Sequence, residues 1–299
     1  MDQQAMPATF DRATDDVGNI VEFGHVNVFV PDQREATLFY VTGLGLTRDP
    51  FINVGVENMW VNVGTAQFHL PTGKPQVVRG TVGLVVPDFH ALPGRLDRVL
   101  PRLRDGHLAS WRAVGDAIEV TCPWGNRIRC HAPDPERFGP IVLGMPYVEL
   151  DTPTGTVERI ARFYREILGG AAVASATECR VRVGTGFTLI FRETAMMRPD
   201  YQGDHVQITL ADFSGPHARL LARGLITEES NASQYRFQDI VDLDTGDLLV
   251  TVEHEVRSMR HPMFARPLVN RAAWMNPQNY RPGLEAQEWA MREGRAMRE

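Results

Sequence analysis

The sequence is poor in cysteine, in net positive charge and in long apolar runs, and each shortage argues against a class of protein. Three cysteines among 299 residues are too few for a disulfide framework or a cysteine-based zinc cluster, which indicates a reducing compartment. A net charge of −6 argues against the basic face that nucleic-acid binding requires. No apolar run approaches the roughly 18–20 residues that cross a bilayer, and the N-terminus lacks a secretory signal pattern. We therefore expect a cytoplasmic protein without nucleic-acid or membrane partners.

What the chain does contain is one strand pattern that occurs four times. Residues 25–32 read His-Val-Asn-Val-Phe-Val-Pro-Asp, an alternating strand that stops at a Pro-Asp turn. Related stretches begin at Thr81, Tyr147 and His205, with offsets of 56 residues from His25 to Thr81 and 58 from Tyr147 to His205. A period of this length predicts one supersecondary unit used repeatedly.

Each repeat continues from its first strand into a helix and then into two or three further strands. Gly43 and Gly45 end the first helix, and a turn sequence at 123–126 joins the last two strands of the second repeat. The third helix is the clearest, with apolar residues at helical spacing from Val157 to Leu168. The sequence therefore predicts an α+β fold built from paired βαβββ modules.

This organisation resembles the vicinal oxygen chelate superfamily, which includes glyoxalase I, bleomycin resistance proteins and extradiol dioxygenases. The resemblance rests on the opening at 25–32, on Gly-Leu-Gly-Leu at 43–46 and on Pro-Trp-Gly-Asn-Arg-Ile at 123–128, in a fourfold order of modules. It covers residues from about 22 to 255. We expect two domains in which consecutive modules pair and form two curved sheets. The predicted segments are a flexible leader at 1–20, the domains at 21–135 and 145–255, and an Arg/Pro-rich arm at 256–299.

In the predicted N-terminal domain, the resemblance places His25 and Gln67 at metal-ligand positions of a cup formed by the sheet. The other two positions hold Thr81 and Arg129, and a guanidinium cannot bind a cation. Counting by twos along the strands adds further polar residues on the concave face, namely Asn27, His69 and His131. These residues are compatible with an alternative histidine metal site. They are equally compatible with a metal-free site, in which Arg129 binds a carboxylate or phenolate and His25 or His131 acts as general base.

In the predicted C-terminal domain, the resemblance places Tyr147 and His205 at corresponding positions. A bulge in the last strand would add Glu253 as the carboxylate partner of His205 in a metal site. Tyr147 is a candidate catalytic residue, and Glu149 and Gln207 are candidate substrate-binding residues. We therefore predict any divalent metal in the C-terminal cup, with Fe(II) or Mn favoured, and an organic anion in the N-terminal cup. A metal-free protein stays an alternative.

The resemblance implies an enzyme that acts on a small oxygenated substrate, aromatic or polyketide-like. It would be related to extradiol dioxygenases, or be a lyase, isomerase or cyclase of the same superfamily. A metal-free binding protein of the bleomycin-resistance type is the alternative, and a structural module with filled cups is a third hypothesis. The arm carries eight arginines against four glutamates, so it can dock on an acidic surface. We expect a homo-oligomer with contacts from the arm.

Overall fold

A computed structural model describes residues 11–50, 57–104, 108–196, 200–266 and 268. Residues 1–10 of the predicted leader lie outside the described residues, as do residue 267 and the part of the predicted arm beyond residue 268. Among the helices that are described, none has the length and apolar character needed to cross a membrane.

Strands dominate the described part of the chain, and the helices between them are short. The strands are β1 (Ile20–Asn27), β2 (Thr47–Arg48), β3 (Asn58–Val63), β4 (Ala66–Pro71), β5 (Gly80–Val85), β6 (Ser110–Val114), β7 (Ala117–Thr121), β8 (Arg127–His131), β9 (Gly144–Thr152), β10 (Ala171–Ala174), β11 (Glu178–Val183), β12 (Phe187–Glu193), β13 (His205–Leu210), β14 (Ile226–Asn231), β15 (Gln234–Val241) and β16 (Leu248–Ser258). The helices are α1 (Gln33–Ala36), which continues as a π-helix over Thr37–Gly43, α2 (Leu92–Val99), α3 (Pro135–Phe138), α4 (Val157–Glu166) and α5 (Ser214–Leu221). Single 3₁₀ turns cover Arg12–Asp15, Phe89–Ala91 and Leu100–Arg102.

Capping and turn residues determine where the main helices begin and end. The Asp32 carboxylate accepts hydrogen bonds from the backbone N–H groups of Arg34 and Glu35, so the Pro-Asp turn after β1 starts α1. Pro93 lies in the first turn of α2, where its missing N–H costs nothing. Gly169 follows α4 with a φ of 68°, a left-handed conformation that favours glycine. The predicted order of strand, helix and further strands is present in all four modules.

The modules pair differently from the predicted arrangement. Modules 1 to 4 contribute β1–β4, β5–β8, β9–β12 and β13–β16. The first sheet has the order β14-β15-β16-β13-β1-β4-β3-β2, so module 1 pairs with module 4. The second has the order β10-β11-β12-β9-β5-β8-β7-β6, so module 2 pairs with module 3.

The expected pairing of module 1 with 2, and of module 3 with 4, is therefore wrong, and the two sheets do not coincide with the predicted domains at 21–135 and 145–255. The physical reason is that the first strand of every module has a free edge that must pair. The repeat shows which edges need a partner but not which module supplies it.

Alternate residues of the central strands face either the hydrophobic core or a polar face. Val26 of β1 and Val28, just after it, are buried in the same core as Phe39 from the helical segment that follows. Phe23 of β1 stacks on Phe187 of β12 with ring centroids 3.6 Å apart, which joins the two sheets. One continuous core thus supports both sheets and leaves a polar face on each for a site.

Candidate metal centre and a second polar cup

Two rows of polar side chains cross the four central strands of the first sheet. β1 runs antiparallel to β13. On the outer sides of this pair, β4 runs parallel to β1 and β16 runs parallel to β13. The row formed by register partners at one level is Gln67, His25, Gln207 and Glu255. The row two residues further along is His69, Asn27, His205 and Glu253. Because residues two apart on a strand share a face, all eight lie on one face, which we call the histidine cup.

Three histidines converge in the histidine cup. His25, His69 and His205 each offer a ring nitrogen, and these nitrogens lie within 4.8 Å of one another. Nε2 of His25 is 3.4 Å from Nε2 of His205. A metal ion bound at about 2.0–2.1 Å to two imidazole nitrogens keeps them roughly 3.0–3.4 Å apart, depending on the bond angle. The spacing of this pair therefore suits a shared metal ion.

Trp60, on the neighbouring strand β3, forms one wall of the cluster. Its indole stacks on the His69 ring with centroids 3.9 Å apart and meets His25 edge-on at 4.9 Å. Such contacts restrict ring rotation and supply an apolar surface beside the nitrogens. The imidazoles are therefore held in place by packing.

Two glutamates of β16 lie on opposite sides of the His205 ring. Glu255 Oε2 is 3.5 Å from Nε2, the nitrogen that faces His25. Glu253 Oε1 is 3.5 Å from Nδ1 on the other side of the ring. Histidine ligands commonly have a carboxylate at the nitrogen that does not bind the metal. Glu255 is thus placed beside the shared centre, and Glu253 is placed to orient His205.

The protonation and hydrogen bonding of these groups fit a divalent cation. Among the described residues, several buried polar atoms of this cup have no hydrogen-bond partner, namely His69 Nε2, Glu255 Oε1, Asn27 Oδ1 and Asn27 Nδ2. Burial lowers the pKa of His25 well below its usual value and that of His69 to about 3. Burial acts to raise the pKa of Glu255, but its hydrogen bond to His205 and the charge of Arg257 lower that pKa strongly overall. Neutral imidazoles and an ionised carboxylate are ligands that Fe, Mn, Co, Ni and Zn accept.

Two arginines also contact the carboxylate of Glu255. Arg236 Nη2 is 2.7 Å from Oε2, and Arg257 Nη2 is 2.6 Å from Oε1. Oε1 of Glu255 is thus already engaged in an ion pair with Arg257. Arg236 also binds Glu253, at 2.6 Å. The carboxylates of the cup are therefore charge-compensated by guanidinium groups.

Gln67, a predicted metal ligand, makes other contacts. Its amide nitrogen donates hydrogen bonds to Asp49 and Asn62, and its amide oxygen accepts one from Arg266. Arg266 also forms an ion pair with Asp49, and both side chains are almost fully buried. The structure thus places Gln67 in a buried polar network beside the histidines, and His69 is the residue of β4 that joins the cluster.

The remaining predicted residues of this cup are Asn27 and Gln207. Both are 1% exposed, and Gln207 donates a hydrogen bond to the hydroxyl of Thr209. The free amide of Asn27 lies in the same row as His69 and His205. Asn27 is therefore the better placed of the two to contact a ligand in the cup.

The other predicted residues lie on the second sheet. Arg129, Tyr147 and Glu149 line a cavity of about 440 Å³ there. His131 Nε2 is 2.9 Å from the Tyr147 hydroxyl, and burial lowers the pKa of His131 to about 4. We call the polar face of β5, β8, β9 and β12 the arginine cup. The structure thus separates His131 and Arg129 from His25, with which they were grouped, and separates Tyr147 and Glu149 from His205.

The sequence analysis missed Glu255 and Trp60. Glu255 belongs to the tripeptide Glu-His-Glu at 253–255, whose neighbours alternate across the strand. His254 faces the core, where it stacks on Phe237 and bonds to Tyr164. Glu253 and Glu255 are two residues apart and therefore share the cup face. That spacing was the available signal, whereas nothing in the sequence marked Trp60.

Comparisons with known proteins reveal a shared fold but no related sequence. No protein-family profile matches the chain, and no curated protein matches it. A solved structure of a proposed dioxygenase from Bacillus subtilis subsp. subtilis str. 168 is similar with a TM-score of 0.55 and 14% identity, over 92% of this chain and 96% of that one. Glyoxalase I from Zea mays is similar with a TM-score of 0.50 and 14% identity, over 81% of this chain and 92% of that one.

These similarities extend over most of both chains and agree with the two eight-stranded sheets described above. The chain has the fold of the vicinal oxygen chelate superfamily, in its four-module form. At this level of identity the likeness concerns the fold, and the site has to be argued from its own residues.

Proposed function

We propose that this protein is a metal-dependent enzyme that acts on a small oxygenated substrate in the histidine cup. His25, His205 and Glu255 would hold a divalent cation, with His69 as a fourth ligand and Fe(II) or Mn as the favoured ions. The observation that carries the proposal is the convergence of three imidazoles and one carboxylate from four different strands on one buried face. Two histidines with one carboxylate suit non-haem iron, and a fourth ligand still leaves open positions.

The bound ion would act as a Lewis acid and orient two neighbouring substrate oxygens. Glu253 Oε1 lies 3.5 Å from His205 Nδ1, where it would fix the direction of the opposite nitrogen. The amide of Asn27 can bind a substrate oxygen, because both of its polar atoms lack a partner among the described residues. The chain thus supplies orientation and hydrogen bonds around the reacting group.

Tyr201 lies beside Glu253 and could contact a substrate hydroxyl. Its hydroxyl is 3.5 Å from Glu253 Oε2, and burial raises its pKa so that it stays protonated. The phenol O–H donates to Glu253, and the phenol oxygen keeps a lone pair that can accept a hydrogen bond from a substrate hydroxyl. Trp60 would also supply an apolar wall for the substrate beside the imidazoles.

Metal analysis of the purified chain tests this proposal. We expect about one Fe or Mn ion per chain after reloading with Fe(II) or Mn(II), and loss of that ion in both His25→Ala and His205→Ala. His217→Ala is the matched control, because His217 is a histidine of α5 that pairs with Glu229 outside the cup. Wild-type protein that retains no ion after reloading would contradict the proposal.

A catechol probe then separates two reaction classes. Oxygen uptake by the reloaded protein, absent in His205→Ala, would support a dioxygenase. A retained ion without oxygen uptake would favour a lyase, isomerase or cyclase. In both reaction classes the protein would act on a small molecule.

The ion pairs of Glu255 favour a second candidate, a metal-free binding protein. Arg236 and Arg257 already neutralise the carboxylate, so the cup does not need a cation to compensate its charge. In this case the cup would bind an uncharged or anionic ligand through Asn27 and the imidazoles. Tight ligand binding by metal-free protein, unchanged on metal addition, would support this candidate over the first.

A further inference from the structure

The two sheets present equivalent positions, because both have the same central strand order. His205 lies opposite Asn27 and Glu253, as Tyr147 lies opposite Gly83 and Thr188. Equivalent registers then pair the residues of the histidine cup with those of the arginine cup: His69 with Arg129, His205 with Tyr147, His25 with Thr81, and Glu255 with Ile190. In the histidine cup these four positions hold imidazoles and a carboxylate, which offer lone pairs to a cation. In the arginine cup the same positions hold an arginine and a tyrosine, which can donate hydrogen bonds, together with a threonine hydroxyl and an apolar isoleucine.

The donors of the arginine cup face its interior. Arg129 keeps one third of its side chain exposed and lines the cavity. Its Nε and Nη2 donate to Glu119, at 3.3 and 2.8 Å. A guanidinium has five N–H groups, and the two bonds to Glu119 use only part of them. Arg129 can therefore bind an oxyanion without releasing Glu119.

Tyr147 provides a second donor. Gly83 lies under its ring, and a Cβ at Gly83 would approach the ring to 2.4 Å, so the ring position depends on glycine. The neutral His131 can donate from Nε2 to the phenol oxygen, at 2.9 Å. In the tautomer of His131 that carries its proton on Nε2, the phenol O–H is left to donate into the cavity.

The charge around the cavity is positive. Five arginines and one glutamate are among its lining residues: Arg129, Arg137, Arg180, Arg182, Arg192 and Glu149. The acidic partners are fewer than the arginines: Glu119 contacts Arg129 and Arg112, Glu178 contacts Arg180 and Arg192, Glu149 also contacts Arg192, and Asp116 contacts Arg137. Arg182 donates to backbone carbonyls, which carry no formal charge. An excess of guanidinium charge in a concave site attracts anions.

We propose that the arginine cup is a binding site for the carboxylate or phosphate group of a small organic molecule, with Arg129 and Tyr147 as its anchors. A volume of about 440 Å³ suits one small ligand. Phe187 and Phe138 also line the cavity and provide apolar walls for the rest of the ligand. This site is separate from the histidine cup and does not depend on a metal.

Calorimetric titration of the full chain with benzoate, phenyl phosphate and benzamide tests the site. We expect one benzoate or phenyl phosphate per chain, with Kd on the order of 1 mM, as fits a ligand of this size. Neutral benzamide should bind at least about tenfold more weakly, because the charge-assisted hydrogen bonds are lost. The better of the two anions identifies the group that the site prefers.

Variants locate the site. Arg129→Met should weaken anion binding about tenfold or more, and Tyr147→Phe, which removes only a hydroxyl, several-fold. Arg112→Met is the matched control: Arg112 shares Glu119 with Arg129 but is 74% exposed and not among the residues lining the cavity. We expect Arg112→Met and His205→Ala to bind the anion as the wild type does. Unchanged anion binding in His205→Ala would separate this proposal from the metal-dependent function, which requires His205. Four results would each overturn the proposal. The wild-type protein binds neither anion, or it binds benzamide as tightly as the anions. Alternatively, Arg129→Met and Tyr147→Phe both bind the anion as tightly as the wild type, or His205→Ala loses anion binding.

Discussion

Neutralising Glu255 should destabilise the protein even without a metal. The Glu255 side chain is 5% exposed and contacts Arg257, itself 9% exposed, at 2.6 Å and Arg236 at 2.7 Å. Glu255→Gln keeps the shape but leaves the Arg257 charge buried without this carboxylate. Removing one partner of a buried pair typically costs about 3–5 kcal/mol. We expect a loss of this size in the free energy of unfolding.

The expected shift in melting temperature follows from chain size. An unfolding entropy of about 2.1 cal/mol/K per residue gives roughly 0.6 kcal/mol/K for this chain, so the loss corresponds to about 5–8 °C. Urea unfolding of chelator-treated protein measures the free energy directly. The matched control is Glu229→Gln, an exposed carboxylate paired with His217, which should change stability by less than about 0.5 kcal/mol.

A double variant identifies the cause. If the uncompensated guanidinium is responsible, Glu255→Gln combined with Arg257→Met should recover most of the stability lost in Glu255→Gln. Metal content should stay low in both variants, because neither has the carboxylate. A loss below about 1 kcal/mol in Glu255→Gln, or no recovery in the double variant, would refute the role assigned to this ion pair.

Three further predictions concern the metal, pH and the arm. Free Fe(II) or Mn(II) at about 100 times its Kd should stabilise the protein by about 2.7 kcal/mol, or roughly 4 °C, and a chelator should reverse the shift. No shift in wild-type protein, or an equal shift in His205→Ala, would argue against the site. His131 has a folded pKa of about 4, below the unfolded value near 6.5, so the unfolded state takes up a proton first as pH falls. Between about pH 7.5 and pH 5, wild type should lose about 2 kcal/mol more than His131→Gln in urea unfolding, and an equal loss would contradict this assignment. Truncation after Leu268 keeps the buried Arg266–Asp49 pair, so the truncated chain should still fold. If the arm mediates assembly, light scattering should show a lower oligomer mass for the truncated chain. An unchanged mass would exclude that role.

The sequence was sufficient to predict the modules but not their partners. Alternation at 25–32 identifies which residues share a face of β1, and the Pro-Asp turn marks where α1 begins. Neither feature states which strand lies beside β1. The sheets pair β1 with β13 and β5 with β9, so His25 and His205, 180 residues apart, share one cup. Pairing of strand edges depends on packing across the whole molecule, which a local pattern does not contain.

The candidate metal-binding cluster was only partly predictable for the same reason. His25 and His205 could be identified because they occupy the first strand of a repeat. Gln67 occupies an equivalent position in β4, but Asp49, Asn62 and Arg266 bind its amide. Asp49 and Arg266 lie 217 residues apart, so this network could not be deduced from either segment alone.

The contrast between the two cups shows how side chains on one frame can favour ligands of opposite charge. The central strand order is the same and the registers are equivalent, and the four candidate metal-binding positions of the histidine cup hold other residues in the arginine cup. At two of them, His69 and His205 correspond to Arg129 and Tyr147. An imidazole presents a lone pair when neutral, whereas a guanidinium presents only N–H groups at any physiological pH. If both proposals hold, the sheet fixes where a ligand sits, and the protonation of the side chains at those positions decides whether that ligand is a cation or an anion.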